Sequence, residues 1–342
     1  MNDQNIAQPL SLAQATEVGK LGIMHLKRFW SKSLLKRINA LKNDDYIDEG
    51  QLDKTLLYAL GLGLEQTTIY IYTIAPSFDQ FENWIVETAG RPTPQTTQRF
   101  NRIITGEAPE QGEIPQVLNA DDLAFFEQHG YIIIKNAVPA EDCEKTIDTI
   151  CRYIGIDRAD PSTWYNNNQA RQGIMVQLFQ DPVMERNRNS VKIRQAYEQL
   201  WQRTDLWVSA DRAGFNPPET EIWKFPGPNL HWDVSLQLPI PFGLQGILYL
   251  ADTEENQGAF SLVPGFQHQI DDWINGLPEG ADPRTQDLDA LGRKYIAANA
   301  GDFIIWLKAL PHGSSANTST RPRYVQYINY APAKLDIARE WK

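Results

Sequence analysis

From about residue 205 onward the chain is interrupted every few residues by proline or glycine, and this spacing limits its fold more than any other feature. Between the breaks lie short runs rich in β-branched and aromatic residues, at 206–209, 220–225, 230–238, 246–250, 259–263, 302–307 and 324–330. Pro226-Gly227-Pro228, Pro239, Pro241, Gly243 and Pro264-Gly265 separate them. Many short strands joined by frequent turns predict a sandwich or barrel. No alternating strand–helix pattern and no Gly-rich phosphate loop appear, which disfavours dinucleotide and P-loop folds.

The front of the chain reads as helical. Val18, Leu21, Ile23, Met24, Leu26, Trp30, Leu34, Leu35 and Ile38 recur at helical spacing, with Lys20, Lys27, Arg28, Lys32, Lys36, Arg37 and Lys42 between them. This predicts a basic amphipathic helix over 11–42. Such a helix can bind a membrane surface. The chain carries 43 Asp+Glu against 32 Lys+Arg, however, so packing against its own acidic residues explains the cations more simply. A second helix is expected over 51–74, stopped by Pro76. Ser77 and Gln80 form a capping box for a third, carrying Phe78, Phe81, Trp84 and Ile85. Arg91-Pro92-Thr93-Pro94 and 106–115 read as loop. A short helix to Gln128, closed by Gly130, precedes a strand at 131–135. Val138-Pro139 then opens an amphipathic helix ended by Gly155. The expected organisation is a helical N-terminal extension, 1–118, followed by a mainly β domain with helices (α+β), 119–342.

Hydrophobic residues make up 42% and charged residues 22%, enough for a sizeable core. The net charge of −11 argues against a nucleic-acid partner. No run of 18 apolar residues exists, and MNDQNIAQPL lacks the layout of a secretion signal, so the expectation is a soluble, cytoplasmic protein with no membrane span. Cys143 and Cys151 fall eight residues apart on one predicted helix, roughly 12 Å at its rise, too far for a disulfide. They are expected to pack in the core. A four-cysteine zinc site is excluded, and chemistry must come from histidines, carboxylates, arginines and hydroxyls.

Five histidines are present. His25 and His129 read as surface or capping residues. His231 opens His231-Trp232-Asp233 in a predicted strand, where residues i and i+2 share a face and Trp232 points away. An imidazole and a carboxylate side by side are two-thirds of the 2-His-1-carboxylate set of non-haem iron oxygenases. The pair alone is weak in so acidic a chain. His312, just after the apolar run 303–307, can supply the second imidazole. Arg321 and Arg323 follow, where a guanidinium could take a dicarboxylate co-substrate.

In order, His231-Trp232-Asp233, the run Gly246 to Asp252, the segment Gly258 to His268, and His312-Gly313-Ser314 with Asn317 and Arg323 resemble the phytanoyl-CoA dioxygenase family. The likeness covers roughly 120–335 and leaves the first 119 residues unmatched. It implies a double-stranded β-helix (jelly-roll, cupin-like) core and an Fe(II)- and 2-oxoglutarate-dependent dioxygenase. His231, Asp233 and His312 would hold Fe(II), leaving positions for 2-oxoglutarate and O2. Arg323 matches the family's 2-oxoglutarate anchor by its distance from His312; Pro322 weakens the case for Arg321. His268 resembles a histidine outside the metal shell. Hydroxylation of an unactivated C–H bond of a small organic substrate, with release of succinate and CO2, is the implied outcome. A carboxylate at 233, where related halogenases carry a small residue, favours it. Desaturation, cyclisation, epimerisation, or a non-catalytic binding barrel are the alternatives. Gln177, Lys224 and Trp223 are further candidates for co-substrate or substrate contact, with core packing the alternative for Trp223. The N-terminal helices are candidates for a lid, a homodimer contact or a carrier-protein contact.

Overall fold

A computed structural model describes residues 10–335, so most of the opening segment read for a leader lies outside it. Two compact units divide the chain, Met1–Glu110 and Gln111–Lys342. Among the described residues no helix is long and apolar enough to cross a membrane.

The first unit is helical: α1 (Leu26–Arg37), α2 (Gly50–Ala59), α3 (Leu64–Ile74), α4 (Phe78–Ala89) and α5 (Pro94–Thr105). Leu26, Leu56, Leu57, Ile71, Phe81, Ile85 and Phe100 are among its fully buried apolar residues. The helix expected over 11–42 begins only at Leu26. Before it, the Glu82 carboxylate accepts from the Lys20 and Leu21 amides and holds this stretch out of helix. It ends at Arg37, and Asn39 adopts a left-handed φ of 57°. The expected helix 51–74 is two, because Gly61 turns the chain at φ 66°, a conformation costly for any residue with a Cβ. The Ser77–Gln80 box forms as expected. Pro94, read as loop, is instead the first residue of α5, where its missing N–H costs nothing, and Thr93 caps the helix.

His25, read as a surface or capping residue, stands at the N-cap position of α1 without a side-chain cap bond, and it is buried rather than exposed, with Nε2 2.9 Å from Asp53 Oδ1. Beside it the Lys32 ammonium lies 2.7 Å from both Glu49 and Asp53, and Arg28 forks onto Glu49. Lys27 pairs with Glu17, so these cations of α1 are met by acids of the same unit.

The second unit mixes helices with antiparallel sheets. Its helices are α6 (Ala120–His129), α7 (Ala140–Ile154), α8 (Pro182–Arg188), α9 (Val191–Trp201) and α10 (Ile270–Asn275). Its strands are β1 (Tyr131–Ile134), β2 (Arg171–Gln172), β3 (Met175–Val176), β4 (Trp207–Val208), β5 (Ala213–Asn216), β6 (Leu244–Tyr249), β7 (Phe260–Leu262), β8 (Lys294–Ile296), β9 (Phe303–Leu307), β10 (His312–Gly313), β11 (Arg323–Tyr327) and β12 (Tyr330–Ala331). They form a seven-stranded sheet, β1-β9-β6-β11-β5-β3-β2, a three-stranded sheet, β10-β7-β8, and the pair β12-β4.

Side-chain alternation divides the core in two. Leu244 and Leu248 of β6, with Phe303 and Ile305 of β9, join Cys143, Ile147, Ile150 and Cys151 of α7 on one face of the large sheet. Ile247, Tyr249, Ile304 and Trp306 face the other way, onto Phe260 and Leu262 of the small sheet. Both cysteines are buried and free.

Two expected strands are absent. The stretch 220–225 is irregular, with Ile222 93% exposed and no ladder partner. The stretch 230–238 forms only a single bridge, at His231. The Arg284 guanidinium takes the carbonyls of Trp232 and Val234, which a continued ladder would use.

Candidate metal centre

His231 and His312 meet across an antiparallel bridge, each donating its backbone N–H to the other's carbonyl at 2.9 and 3.0 Å. Directly opposed residues project to one side of a ladder, and the two rings lie 4.9 Å apart. β10 is held on its other edge by β7, with His312 opposite Leu262. The close approach of the 229–231 segment depends on Gly313, where a Cβ would overlap the Asn229 carbonyl.

Asp233 reaches the same point without a strand beneath it. Trp232 is buried against Phe266 and Trp273, and its Nε1 donates to Ala309 O. With Arg284 gripping the carbonyls on either side, the Asp233 side chain turns to the imidazoles. Its Oδ1 is 3.5 Å from His231 Nε2 and its Oδ2 3.4 Å from His312 Nε2. Ligand-type atoms of all three residues lie within 4.8 Å of one another.

Hydrogen bonding fixes the orientation of both rings. His231 Nδ1 is 2.7 Å from Asn229 O, and His312 Nδ1 is 3.0 Å from Leu310 O. A carbonyl only accepts, so both Nδ1 atoms carry protons and both Nε2 atoms face the carboxylate. Backbone acceptors behind metal-ligating histidines act in this way. Partial burial works to raise the Asp233 carboxyl, but the two rings and the Gln245 amide overcome it and hold the group well below the usual carboxylate range. Burial likewise opposes charging of His231, yet Asp233 and the Asn229 carbonyl leave its pKa raised. The centre therefore calls for positive charge, from a proton or a cation.

Arg323, the first residue of β11, is fully buried. Its Nη2 donates to Ser314 Oγ at 2.9 Å, while Nε and Nη1 have no partner. No carboxylate among the described residues pairs with it, an arrangement that costs several kcal/mol unless an anion arrives. Arg321 is exposed and reaches Gln257. Asn317 ties the turn before β11 by donating to Asn216 O and Arg321 O.

The other candidates lie in separate contacts. Gln177 donates to Gln172, and Lys224 is exposed beside Glu219 at 3.7 Å. Trp223 tilts against Tyr165. His268 is exposed, its Nε2 2.9 Å from Glu127 O. Two contributors escaped the sequence reading, Arg284 and Gln245; neither lies in a motif. A second cluster, His25, Glu49 and Asp53, also brings ligand-type atoms together. There the Lys32 ammonium already bridges the two carboxylates, which leaves little electrostatic demand for an ion.

Residues 126–325 match the family model described as phytanoyl-CoA dioxygenase (PhyH). The chain belongs to that family of oxygenases. A Dictyostelium discoideum protein named "Putative phytanoyl-CoA dioxygenase" is 25% identical over 260 residues, covering 61% of this chain and 74% of that protein. An ectoine dioxygenase of Bordetella bronchiseptica is 22% identical over 275 residues, 72% of this chain and 87% of that protein. The crystal structure of EctD from S. alaskensis with bound Fe superposes with a TM-score of 0.48 at 18% identity, over 67% of this chain and 82% of that one.

Proposed function

We propose that this protein is an Fe(II)- and 2-oxoglutarate-dependent dioxygenase that hydroxylates an unactivated C–H bond of a small organic molecule. The observation that carries the reading is the convergence of His231 Nε2, His312 Nε2 and the Asp233 carboxylate, with the buried Arg323 guanidinium tied to Ser314, two residues past His312, and left with Nε and Nη1 unpartnered. The residues fit both groups. Two imidazoles and one carboxylate suit Fe(II), and Arg323 suits the far carboxylate of 2-oxoglutarate. The ectoine dioxygenase likeness supports a small-molecule substrate.

When bound, the iron supplies the oxidation of 2-oxoglutarate by O2: one oxygen atom goes to succinate as CO2 leaves, the other to the substrate carbon. This chain's residues hold and orient. Arg323 anchors the co-substrate, Ser314 fixes Arg323, and the Nδ1 hydrogen bonds keep both Nε2 atoms turned to the ion. Asp233, being a carboxylate, retains a third protein ligand, which favours hydroxylation over halide transfer. We further assign 119–342 to the dioxygenase domain, a double-stranded β-helix formed by the large and small sheets, and 1–118 to a helical extension.

Release of labelled CO2 from 2-oxoglutarate tests this without knowledge of the substrate. Anaerobically reconstituted protein, exposed to O2, should release CO2 and form succinate only with Fe(II), and the His312→Ala variant should not. Equal release by both proteins would remove the assignment.

A further inference from the structure

Gln245 lies in β6 opposite Trp306. Alternation puts it on the face shared by Ile247 and Tyr249, where it is the polar residue at the end of an apolar row. Its Nε2 donates to Asp233 Oδ2 at 2.8 Å, while its own Oε1 is buried without a donor. Turning the amide over would set Oε1 against a carboxylate oxygen, two acceptors face to face. The amide is therefore oriented by Asp233 and leaves its own acceptor unmet to keep that contact. The backbone beneath is fixed, because the next amide, Gly246 N, donates to Asn329 Oδ1 at 2.9 Å.

Resting on the iron reading above, we infer that Gln245 is a positioning residue that occupies Oδ2 of Asp233 and leaves Oδ1 as the single oxygen for the ion. The consequence is that the carboxylate does not close over the ion with both oxygens, and room remains for the co-substrate and O2. Nothing in the histidine–aspartate motif encodes this. It arises from a strand twelve residues away whose apolar alternation gives way to one amide.

Co(II) is a suitable probe, since its visible spectrum reports coordination as well as affinity. Gln245→Met keeps the volume and removes the donor. The metal-free variant should fold cooperatively, bind Co(II) about 10–100-fold more weakly, and give a Co(II) spectrum of altered shape. If Gln245→Met does not fold, Gln245→Asn, which draws the amide back by one methylene, is read in the same way. Wild-type affinity and spectrum in the variant would overturn the role of Gln245 alone. Failure of the wild-type protein to bind Co(II), or undiminished binding by His231→Ala, would overturn the iron reading and this inference with it.

Discussion

His231 and His312 exchange backbone hydrogen bonds in both directions, at 2.9 and 3.0 Å, and so stand as directly opposed residues although only one of them lies in a strand. That single bridge brings together two imidazoles 81 positions apart in the numbering, and the Asp233 carboxylate follows two residues after the first. The architecture around it secures this bridge: β7 on one side, the Gly313 close approach on the other, and Arg284 below Asp233.

Arg323 and Arg321 should behave differently. Arg323→Ala deletes the buried guanidinium expected to meet 2-oxoglutarate. Loss of a buried charge partner typically costs about 2–4 kcal/mol, which corresponds to a rise in 2-oxoglutarate KM of roughly 30-fold or more. Arg321→Ala, at an exposed position, should leave KM within about twofold. Succinate formation against 2-oxoglutarate concentration checks both; the reverse ranking would move the anchor.

Gly313→Ala should weaken the centre without touching a ligand. The new methyl overlaps the Asn229 carbonyl, whose partner is His231 Nδ1. Backbone crowding of this kind costs about 1–3 kcal/mol. Thermal unfolding should show the loss, and metal titration a weaker site. Unchanged values in both would mean the 229–231 segment is not held by this approach.

The contact of His231 with Asp233 sets a pH dependence. His231 has a raised pKa in the metal-free protein, so it stabilises the fold fully below the ordinary imidazole range and loses that contribution as pH rises through the raised value. Asp233 is lowered; its contribution holds above the usual carboxylate range and fades as pH falls toward its folded value. A metal ion competes with the proton on His231 Nε2. Metal affinity should therefore increase with pH across the imidazole range while the stability of the metal-free protein declines slightly. Calorimetry at several pH values, with and without Co(II), should give these opposite slopes.

The motif residues were legible because type and order agreed: a histidine, a tryptophan and an aspartate in sequence, then a histidine past an apolar run, then an arginine. The physical route was not legible. Strand alternation was expected to align His231 with Asp233, whereas a bridge and the Arg284 fork do so, and Arg284 lies 52 residues from the carbonyl it grips. Gln245 carried no signal, because an amide in an apolar strand reads as an ordinary interruption. In the first unit the Ser77–Gln80 box was readable because capping is local. The 11–25 stretch kept helical spacing, but its backbone is claimed by Glu82, some 60 residues on. Local patterns gave the caps and turns; contacts between distant residues decided the rest.

Lys32 offers a test of the first unit. Its ammonium is buried between Glu49 and Asp53. Lys32→Met leaves these two carboxylates with one cation fewer, and breaking a buried ion network in this way costs about 3–5 kcal/mol. Chemical denaturation should show a lower midpoint for the variant. A midpoint equal to that of the wild-type protein would mean the cluster is not a source of stability.

Anomalous diffraction at the iron edge, from crystals of the anaerobic Fe(II)-loaded protein, probes the centre most directly. One peak should appear, bonded to His231 Nε2, Asp233 and His312 Nε2. A peak at Glu49 and Asp53 instead, or none among the three residues, would contradict the oxygenase assignment.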